Sequence, residues 1–168
     1  MSEVPTVIYL EMLGGEALQP AAEVEGLELR RVAPADANLN RRYYQEVGAD
    51  WNWVERLCWS ELDWQAHVER EELSTWLALH EGEEVGYVEL EQQPQGQVQI
   101  SYFGLLPQAC GKGYGGAMLS RIVELAWQMP GTRRVWVHTC TDDHPAALTN
   151  YQKRGFVIFD TKKAESPD

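Results

Sequence analysis

QVQISYFGLLPQACGKGYGG occupies residues 97–116 and joins a strand pattern to a glycine-rich loop. Its beginning alternates in polarity, and this period of two predicts a strand with Val98, Ile100 and Tyr102 on one face. Pro107 ends the strand, because proline has no backbone N–H to donate to a neighbouring strand.

The loop holds four glycines, at positions 111, 113, 115 and 116, with Lys112 among them. After the loop, residues 117–129 carry apolar side chains at helical spacing, and Pro130-Gly131 ends the pattern. Free N–H groups and the positive dipole end at a helix start bind anions, and glycines let the backbone approach the ligand. The unit predicts a phosphate-binding site; a glycine-rich turn before a core helix is the structural alternative.

Two nucleotide-binding motifs were compared with this unit. Gly111-x-Gly113-x-x-Gly116 matches the dinucleotide fingerprint, and Asp142-Asp143 follows the next predicted strand as a ribose-binding acid would. However, the first glycine does not sit at the strand end, and too little chain follows for a six-stranded nucleotide domain. A Walker-type loop is excluded, because no Gly-Lys pair is followed by Ser or Thr.

The loop resembles the coenzyme A loop of the GNAT family of N-acetyltransferases, whose pattern is Gln/Arg-x-x-Gly-x-Gly/Ala between a strand and a helix. Gly113 and Gly115 match the two small positions, and Cys110 stands where the family usually has Arg or Gln. The pattern also fits when read from Gln108, but out of register with the preceding proline. The departure at Cys110 removes one side-chain contact and leaves the backbone amides intact.

A second segment, DHPAALTNYQKRGF at residues 143–156, resembles the family's Asn-x-x-Ala-x-x-x-Tyr-x-Lys-x-Gly-Phe segment. Four residues match in place: Tyr151, Lys153, Gly155 and Phe156. His144 replaces the usual Asn. Two motifs in the right order are more specific than either alone, and the resemblance covers about residues 77–159.

The predicted elements run strand, two helices, three antiparallel strands, helix, strand, helix and strand, with a further short strand at residues 6–12. The first two helices are predicted over 34–47, capped by Asp36, and over 61–70. This order predicts an α/β fold (α+β, a mixed central sheet with helices on both faces), as the GNAT resemblance also implies.

The chain has 168 residues, which suggests one main domain. We expect an N-terminal strand and linker over 1–25, the acetyltransferase domain over 26–161 and a loose polar tail over 162–168.

The net charge of −12 argues against a nucleic-acid partner and is compatible with a cationic amine, although solubility alone also explains it. The three cysteines predict no disulfide framework, and the spacing of His138, Cys140 and His144 matches no standard zinc signature, so no metal is expected. No signal peptide or membrane span is visible in the sequence, which predicts a cytoplasmic protein without a membrane partner.

The resemblance implies acetyl-CoA as co-substrate, held where two parallel strands splay apart, with Tyr151 donating a proton to the CoA thiolate. It also implies that a backbone N–H near Phe103 stabilises the tetrahedral oxyanion. The predicted coenzyme-binding residues are Phe103, Gly104, Leu105, Cys110, Gly111, Lys112, Gly113, Tyr114, Gly115, Gly116, His144 and Tyr151.

The acceptor site is predicted at Trp51 and Trp53, since the segment between the first two helices borders the acceptor in this family, and Glu91 is added to it. Aromatic side chains there fit either a buried core or a substrate pocket, and both interpretations stay open. Glu89 is the candidate general base, because a mid-strand carboxylate in a covered sheet requires a polar cleft. His138, His144 or a water chain are the alternatives.

These expectations describe an acetyl-CoA-dependent N-acetyltransferase that acts by direct attack on an amine of a small molecule or peptide. The alternative is a non-catalytic acyl-CoA-binding or regulatory module of the same fold, because Cys110 departs from the family pattern and Gln99 stands where several family members carry a carboxylate. A homodimer is compatible with the N-terminal strand as a pairing edge.

Overall fold

The computed structural model describes residues 4–51 and 53–164, which form one mixed seven-stranded sheet covered by helices on both faces. The strands are β1 Thr6–Met12, β2 Leu27–Arg31, β3 Leu73–His80, β4 Glu83–Gln93, β5 Gln97–Leu105, β6 Arg134–Cys140 and β7 Val157–Lys163. The helices are α1 Ala37–Gly48, α2 Glu61–Val68, α3 Tyr114–Gln128 and α4 Ala147–Lys153.

The strands lie in the order β2-β3-β4-β5-β6-β1-β7, and only the β5–β6 pair is parallel. The N-terminal strand β1 is inserted between β6 and β7, antiparallel to both. The strand predicted within residues 1–25 is therefore an integral part of the sheet. Lys162 and Lys163 pair with Val7 and Thr6 in β7, so the predicted tail begins later than residue 162, and its residues 165–168 lie outside the described chain.

The two helix layers follow from the apolar faces of the helices. On one side of the sheet, α3 buries Met118, Leu119 and Ile122 against strand residues such as Val98 and Val137. On the other side, α1 buries aromatic and aliphatic side chains, and α2 packs beside it through Trp64 and Val68. Asp36 caps α1 as predicted, accepting hydrogen bonds from the backbone N–H groups of residues 38 and 39 at 3.1 and 3.3 Å.

Strand β5 contains an irregularity that the alternating pattern did not predict. The register with β4 shifts between Glu89 and Leu90, whose partners are Tyr102 and Ile100, so Ser101 is the extra residue of a bulge. The bulge turns Tyr102 to the α1–α2 side, where it packs against Tyr44, whereas Ile100 faces α3. The prediction that Tyr102 shares a face with Val98 and Ile100 is therefore wrong.

Beyond the bulge, β5 and β6 separate. Their parallel pairing ends at Ile100 and Val137, although β5 continues to Leu105 and β6 to Cys140. A gap between two parallel strands opens the sheet at this point. None of the helices in the described part of the chain is both long and apolar enough to cross a lipid bilayer.

Candidate active site

The glycine loop meets the start of α3 in a backbone conformation that only glycine adopts readily. Gly111 and Gly113 have φ angles of +79° and +85°, and Gly113 is the left-handed N-cap residue of α3. The N-cap residue Gly113 has no side chain that could accept a hydrogen bond from the N–H groups of the first turn of α3. Gly115 and Gly116, predicted in the loop, lie inside that first turn. Together with the helix dipole, these groups form an anion-binding surface.

A cavity of about 390 Å³ lies on this surface, here called the glycine-loop cavity. A Cβ atom at Gly111 or Gly113 would meet no atom within 4 Å, which leaves room for a ligand to approach the backbone. The residues that line the glycine-loop cavity include Phe103, Gly104, Leu105, Cys110, Gly111, Gly113, Tyr114, Gly115, Gly116, His144, Asn150, Tyr151 and Lys153.

Of the predicted coenzyme-binding residues, all but Lys112 line the glycine-loop cavity. The Lys112 side chain is exposed and does not line it, whereas Lys153, one turn along α4 from Thr149, supplies a cation that the site prediction missed. Lys153 was recognisable only as a matched position of the second motif. Cys110 is half-buried, its Sγ lies 3.6 Å from the Leu106 carbonyl oxygen, and burial raises the pKa of its thiol.

Tyr151 of α4 lies at the inner end of the glycine-loop cavity. It is 5% exposed, and its ring packs edge-on against Phe103 and Phe156, with centroids 6.3 and 5.9 Å away. Burial, and the nearby carboxylate of Asp143, raise the pKa of Tyr151 far above its ordinary value. The phenol therefore keeps its proton at every physiological pH and can donate it.

A second cavity, of about 880 Å³, opens on the other side of the splayed strands and is here called the aromatic cavity. Its lining residues include Val7, Tyr9, Trp51, Trp53, Val54, Glu55, Ile100, Ser101, Tyr102, Phe103, Val137, His138, Cys140, Asp142, Asp143 and Tyr151. Five residues line both cavities: Trp51, Trp53, Phe103, Asp143 and Tyr151. The two cavities therefore meet at Tyr151, in the gap between β5 and β6.

Asp143 fastens the segment between α1 and α2 that carries Trp51, Trp53 and Trp59, here called the tryptophan segment, to the end of β6. Its Oδ2 accepts hydrogen bonds from the Thr139 hydroxyl at 2.6 Å and the Cys140 backbone N–H at 2.9 Å. Its Oδ1 accepts one from the Trp53 indole N–H at 3.1 Å. Sequence reasoning considered Asp143 only as a ribose-binding acid, because a contact between residues 90 positions apart leaves no local pattern.

Trp51 and Trp53 satisfy both interpretations of the tryptophan segment. Trp53 packs against Tyr44 and Tyr102, with ring centroids 5.7 and 4.8 Å away, and at the same time lines both cavities. Trp51 packs in a tilted orientation against His144, with ring centroids 4.8 Å apart. The segment is thus part of the core on one side and a cavity wall on the other.

Glu89 lies in a buried ion cluster and not in the open cleft on which its prediction as a base rested. It is fully buried; Arg56 Nη1 donates to both carboxylate oxygens at 2.9 and 3.1 Å, and Asn40 donates at 3.0 Å. His67 Nε2 lies 3.0 Å from Oε1. Burial alone would raise the pKa of Glu89, but the His67 hydrogen bond and the Arg56 charge outweigh it and lower that pKa to about 2.

An ionised, fully partnered carboxylate accepts a proton poorly at neutral pH, so this environment argues against a base at Glu89. Glu91, predicted to bind substrate, pairs with Arg70 at 3.2 Å and lines neither cavity. Of the alternative bases, His138 lines the aromatic cavity. His144 accepts a hydrogen bond at Nδ1 from the Ala146 backbone N–H at 3.0 Å.

The two cavities differ in charge. The glycine-loop cavity has Lys153, Asp143 and the α3 backbone amides on its wall, whereas the described lining of the aromatic cavity holds three carboxylates, Asp143 among them, and no lysine or arginine. An anionic ligand fits the first and a cationic ligand the second. Among the described residues, no group of three or more His, Cys, Asp or Glu side chains could hold a metal ion.

Comparison with known families gives one match. A family model described as the acetyltransferase (GNAT) family matches residues 38–156. No curated protein sequence matches the chain significantly.

Several solved structures share the fold. A GCN5-related N-acetyltransferase from Sphaerobacter thermophilus superposes with a TM-score of 0.73 at 17% identity, over 94% of this chain and 50% of its own. One from Kribbella flavida gives a TM-score of 0.67 at 15% identity, over 93% and 55%. Spermidine N-acetyltransferase from Vibrio cholerae, in complex with CoA and spermine, gives 0.65 at 18% identity, over 80% and 82%. The chain spans about half the length of the first two structures.

Proposed function

Because the chain belongs to the GNAT family of acetyltransferases, we propose that it transfers an acetyl group from acetyl-CoA to an amine of a small molecule or peptide. The observation that carries the proposal is the meeting of two different cavities at Tyr151, in the gap between β5 and β6. One has a lysine and the amides of a helix start on its wall, and the described lining of the other has three carboxylates and no lysine or arginine. The anionic coenzyme enters from one side and the cationic amine from the other. The CoA complex of the Vibrio cholerae relative supports the same choice of co-substrate.

The coenzyme pyrophosphate would lie on the backbone amides of the glycine loop and of the first turn of α3, which the N-cap residue Gly113 does not cap with a side chain. Lys153 would add a positive charge to the same cavity. The pantetheine arm would then follow β5 past Leu105 and Phe103, which line the cavity where the strand has lost its parallel partner.

In the chemical step, the lone pair of the neutral amine attacks the thioester carbonyl carbon. The C–N bond forms, the tetrahedral oxyanion is stabilised by a backbone N–H of β5 near Phe103, and the C–S bond then breaks as the oxyanion collapses. Tyr151 gives its proton to the leaving CoA thiolate, and the proton released by the amine restores the phenol by way of solvent. The raised pKa of Tyr151 keeps the phenol protonated before the step, and the proton returned from the amine is needed to keep the phenol from remaining as a phenolate afterwards.

Removal of the amine proton requires no buried carboxylate. Glu89 has its oxygens occupied by Arg56, His67 and Asn40, so we assign the deprotonation to water in the aromatic cavity, beside His138. Asp143 would hold the tryptophan segment over the meeting point of the cavities, through its bond to the Trp53 indole.

A non-catalytic acyl-CoA-binding module of the same fold is the second candidate. The observation that favours it is Cys110, whose short side chain lies in the glycine-loop cavity where the family usually places Arg or Gln. Such a module would bind acetyl-CoA without turning it over.

Calorimetric titration with acetyl-CoA, CoA and NAD, followed by thiol-release assays with a pool of amines, tests the proposal. We expect acetyl-CoA and CoA to bind, NAD not to bind, and CoA release to depend on an amine. Binding of acetyl-CoA without amine-dependent release of CoA would support the non-catalytic module instead. If neither acetyl-CoA nor CoA bound, both the enzyme and the module would be contradicted.

Tyr151→Phe tests the proton donor. We expect kcat to fall by about 100-fold or more, since positioned acids contribute on the order of 10²–10⁴, while the acetyl-CoA dissociation constant stays within about twofold. The matched control is Tyr9→Phe, which removes a hydroxyl from another aromatic residue of the aromatic cavity. Wild-type turnover by Tyr151→Phe would show that the thiolate takes its proton elsewhere.

A further inference from the structure

The aromatic cavity is larger than an amine alone requires. At about 880 Å³ it has more than twice the volume of the glycine-loop cavity, which is about 390 Å³. Its walls therefore contact much more of the acceptor than the reacting nitrogen, and their chemistry selects the acceptor.

The charged residues that line the aromatic cavity favour a cationic acceptor. Glu55, Asp142 and Asp143 line the cavity, and its described lining includes no lysine or arginine. Glu55 lies on the exposed tryptophan segment, and its Oε2 accepts a hydrogen bond from the Tyr102 hydroxyl at 3.1 Å. Asp143 is half-buried at the inner end, next to Tyr151. A cation would meet one carboxylate at the mouth and another at the point of reaction.

Between these carboxylates the wall is aromatic and aliphatic. Trp53 and Tyr102 pack with ring centroids 4.8 Å apart, and Tyr9 and His138 pack at 5.7 Å on the neighbouring strands β1 and β6. Aliphatic residues complete the lining, among them Val4, Val7 and Val54. Ile100 and Val137 also line the cavity, but their side chains are buried in the core against α3. Aromatic faces attract ammonium groups, and aliphatic walls favour apolar groups over hydrated ones.

We propose that the acceptor is a primary amine attached to an apolar body, either an aromatic ring or an alkyl chain. Its ammonium enters past Glu55 and reaches Asp143 beside Tyr151, while its body lies against Val7, Tyr9 and Tyr102. This inference rests on the proposed acetyl transfer and specifies its acceptor. A polyamine or a polar peptide would leave those of its additional hydrated groups that reach no carboxylate against aromatic and aliphatic walls, at a cost in affinity.

The test compares kcat/KM for propylamine, butylamine, pentylamine, hexylamine and phenethylamine with values for spermidine and a short polar peptide with a free N-terminus. Burial of one methylene group corresponds to about a fourfold gain, so we expect kcat/KM to rise by about that factor per carbon along the alkyl series. Phenethylamine should exceed spermidine and the peptide. Titration of the CoA-bound protein with the same amines should give dissociation constants that fall along the series.

Val7→Thr refines the test, because it changes a methyl to a hydroxyl on the cavity wall with little change in shape. We expect it to reduce kcat/KM for hexylamine by about threefold to tenfold with little effect on propylamine. Val157→Thr, the same substitution on an exposed position of β7 outside the cavity, is the matched control and should change neither.

The outcomes separate this inference from the proposed function. A flat alkyl series, or a preference for spermidine or the peptide, would overturn the apolar acceptor while acetyl transfer stands. Acetyl-CoA binding without turnover of any amine, and without amine binding to the CoA complex, would overturn both.

Discussion

A carboxylate in the middle of a strand can be a base or an anchor, and its neighbours decide between these roles. The neighbours of Glu89 come from three other elements: Asn40 of α1, Arg56 of the tryptophan segment and His67 of α2. Arg56 in turn lies over the rings of Tyr102 and Trp59, at 4.3 and 4.6 Å from their centroids. Glu89 therefore anchors the segment that forms the wall of the aromatic cavity.

Glu89→Gln distinguishes the two roles. If Glu89 is an anchor, the substitution should lower the free energy of unfolding by about 3 kcal/mol, because the buried Arg56 cation loses its partner. The kcat of the folded variant should then stay within about threefold of the wild-type value. As a base, its loss should lower kcat by about 100-fold or more with little change in stability. Denaturant unfolding and saturating kinetics measure both quantities.

Glu91→Gln is the control for this substitution, since Glu91 lies on the same strand but is paired with the more exposed Arg70. Glu91→Gln should lower the free energy of unfolding by less than about 1 kcal/mol.

The pH dependence of stability gives a second measurement of the role of Glu89. The pKa of Glu89 is lowered from 4.5 to about 2 by folding, so its stabilisation is complete above pH 4.5 and is lost as pH falls toward 2. The stability difference between wild type and Glu89→Gln should shrink over that window.

At the scale of single residues, the sequence predicts groups that bind through their own backbone or stand in a local motif. The position of Gly113, Tyr114 and Tyr151 around one cavity could be predicted in this way. The roles of Glu89 and Asp143 could not, because each depends on hydrogen bonds to residues from distant parts of the chain. A mid-strand Glu appears the same in sequence whether it faces a cleft or an arginine.

Among the elements, the loop and the start of α3 form the unit that the sequence predicted most completely. Gly113→Val should weaken acetyl-CoA binding by at least about 100-fold, because its side chain would enter the space where a phosphate must approach the backbone. The left-handed conformation at Gly113 also strains any L-residue, so a control with the same strain is needed.

Gly82 supplies that control. It has the same φ of +85°, and a Cβ there also meets no atom within 4 Å, but it lies in the turn between β3 and β4, away from both cavities. Gly82→Val should lose comparable stability and keep its affinity for acetyl-CoA in a calorimetric titration. If Gly113→Val and Gly82→Val lost affinity for acetyl-CoA equally, the assignment of the glycine loop to the coenzyme site would be wrong.

Two features of the elements were not predictable from periodicity. The bulge at Ser101 reverses the faces of β5, so the alternation that correctly predicts a strand assigns Tyr102 to the wrong side. The position of β1 between β6 and β7 depends on pairing between residues more than a hundred positions apart, such as Val7 and Cys140. Strand patterns predict that a strand exists and which face is apolar, but not its neighbour.

For the whole molecule, the charge distribution opposes one substrate and favours the other. The net charge is −12, which repels acetyl-CoA and attracts an amine at long range. Close contacts at the glycine loop act over a few ångströms and are weakly screened, whereas the long-range field is screened once the Debye length falls from about 30 Å to about 8 Å. Salt should therefore change the two affinities in opposite directions.

We expect the acetyl-CoA dissociation constant to decrease severalfold, and the KM of the amine to increase severalfold, as NaCl is raised from about 10 to about 150 mM. Sucrose at equal osmolality is the control and should shift neither, because it does not screen charge. Titration calorimetry gives the first quantity and steady-state thiol release the second. If salt weakened both affinities, local ion pairs at the coenzyme would outweigh the field of the whole acidic molecule. The coenzyme and the amine would then still be assigned to the two cavities, but long-range attraction and repulsion would have no part in their binding.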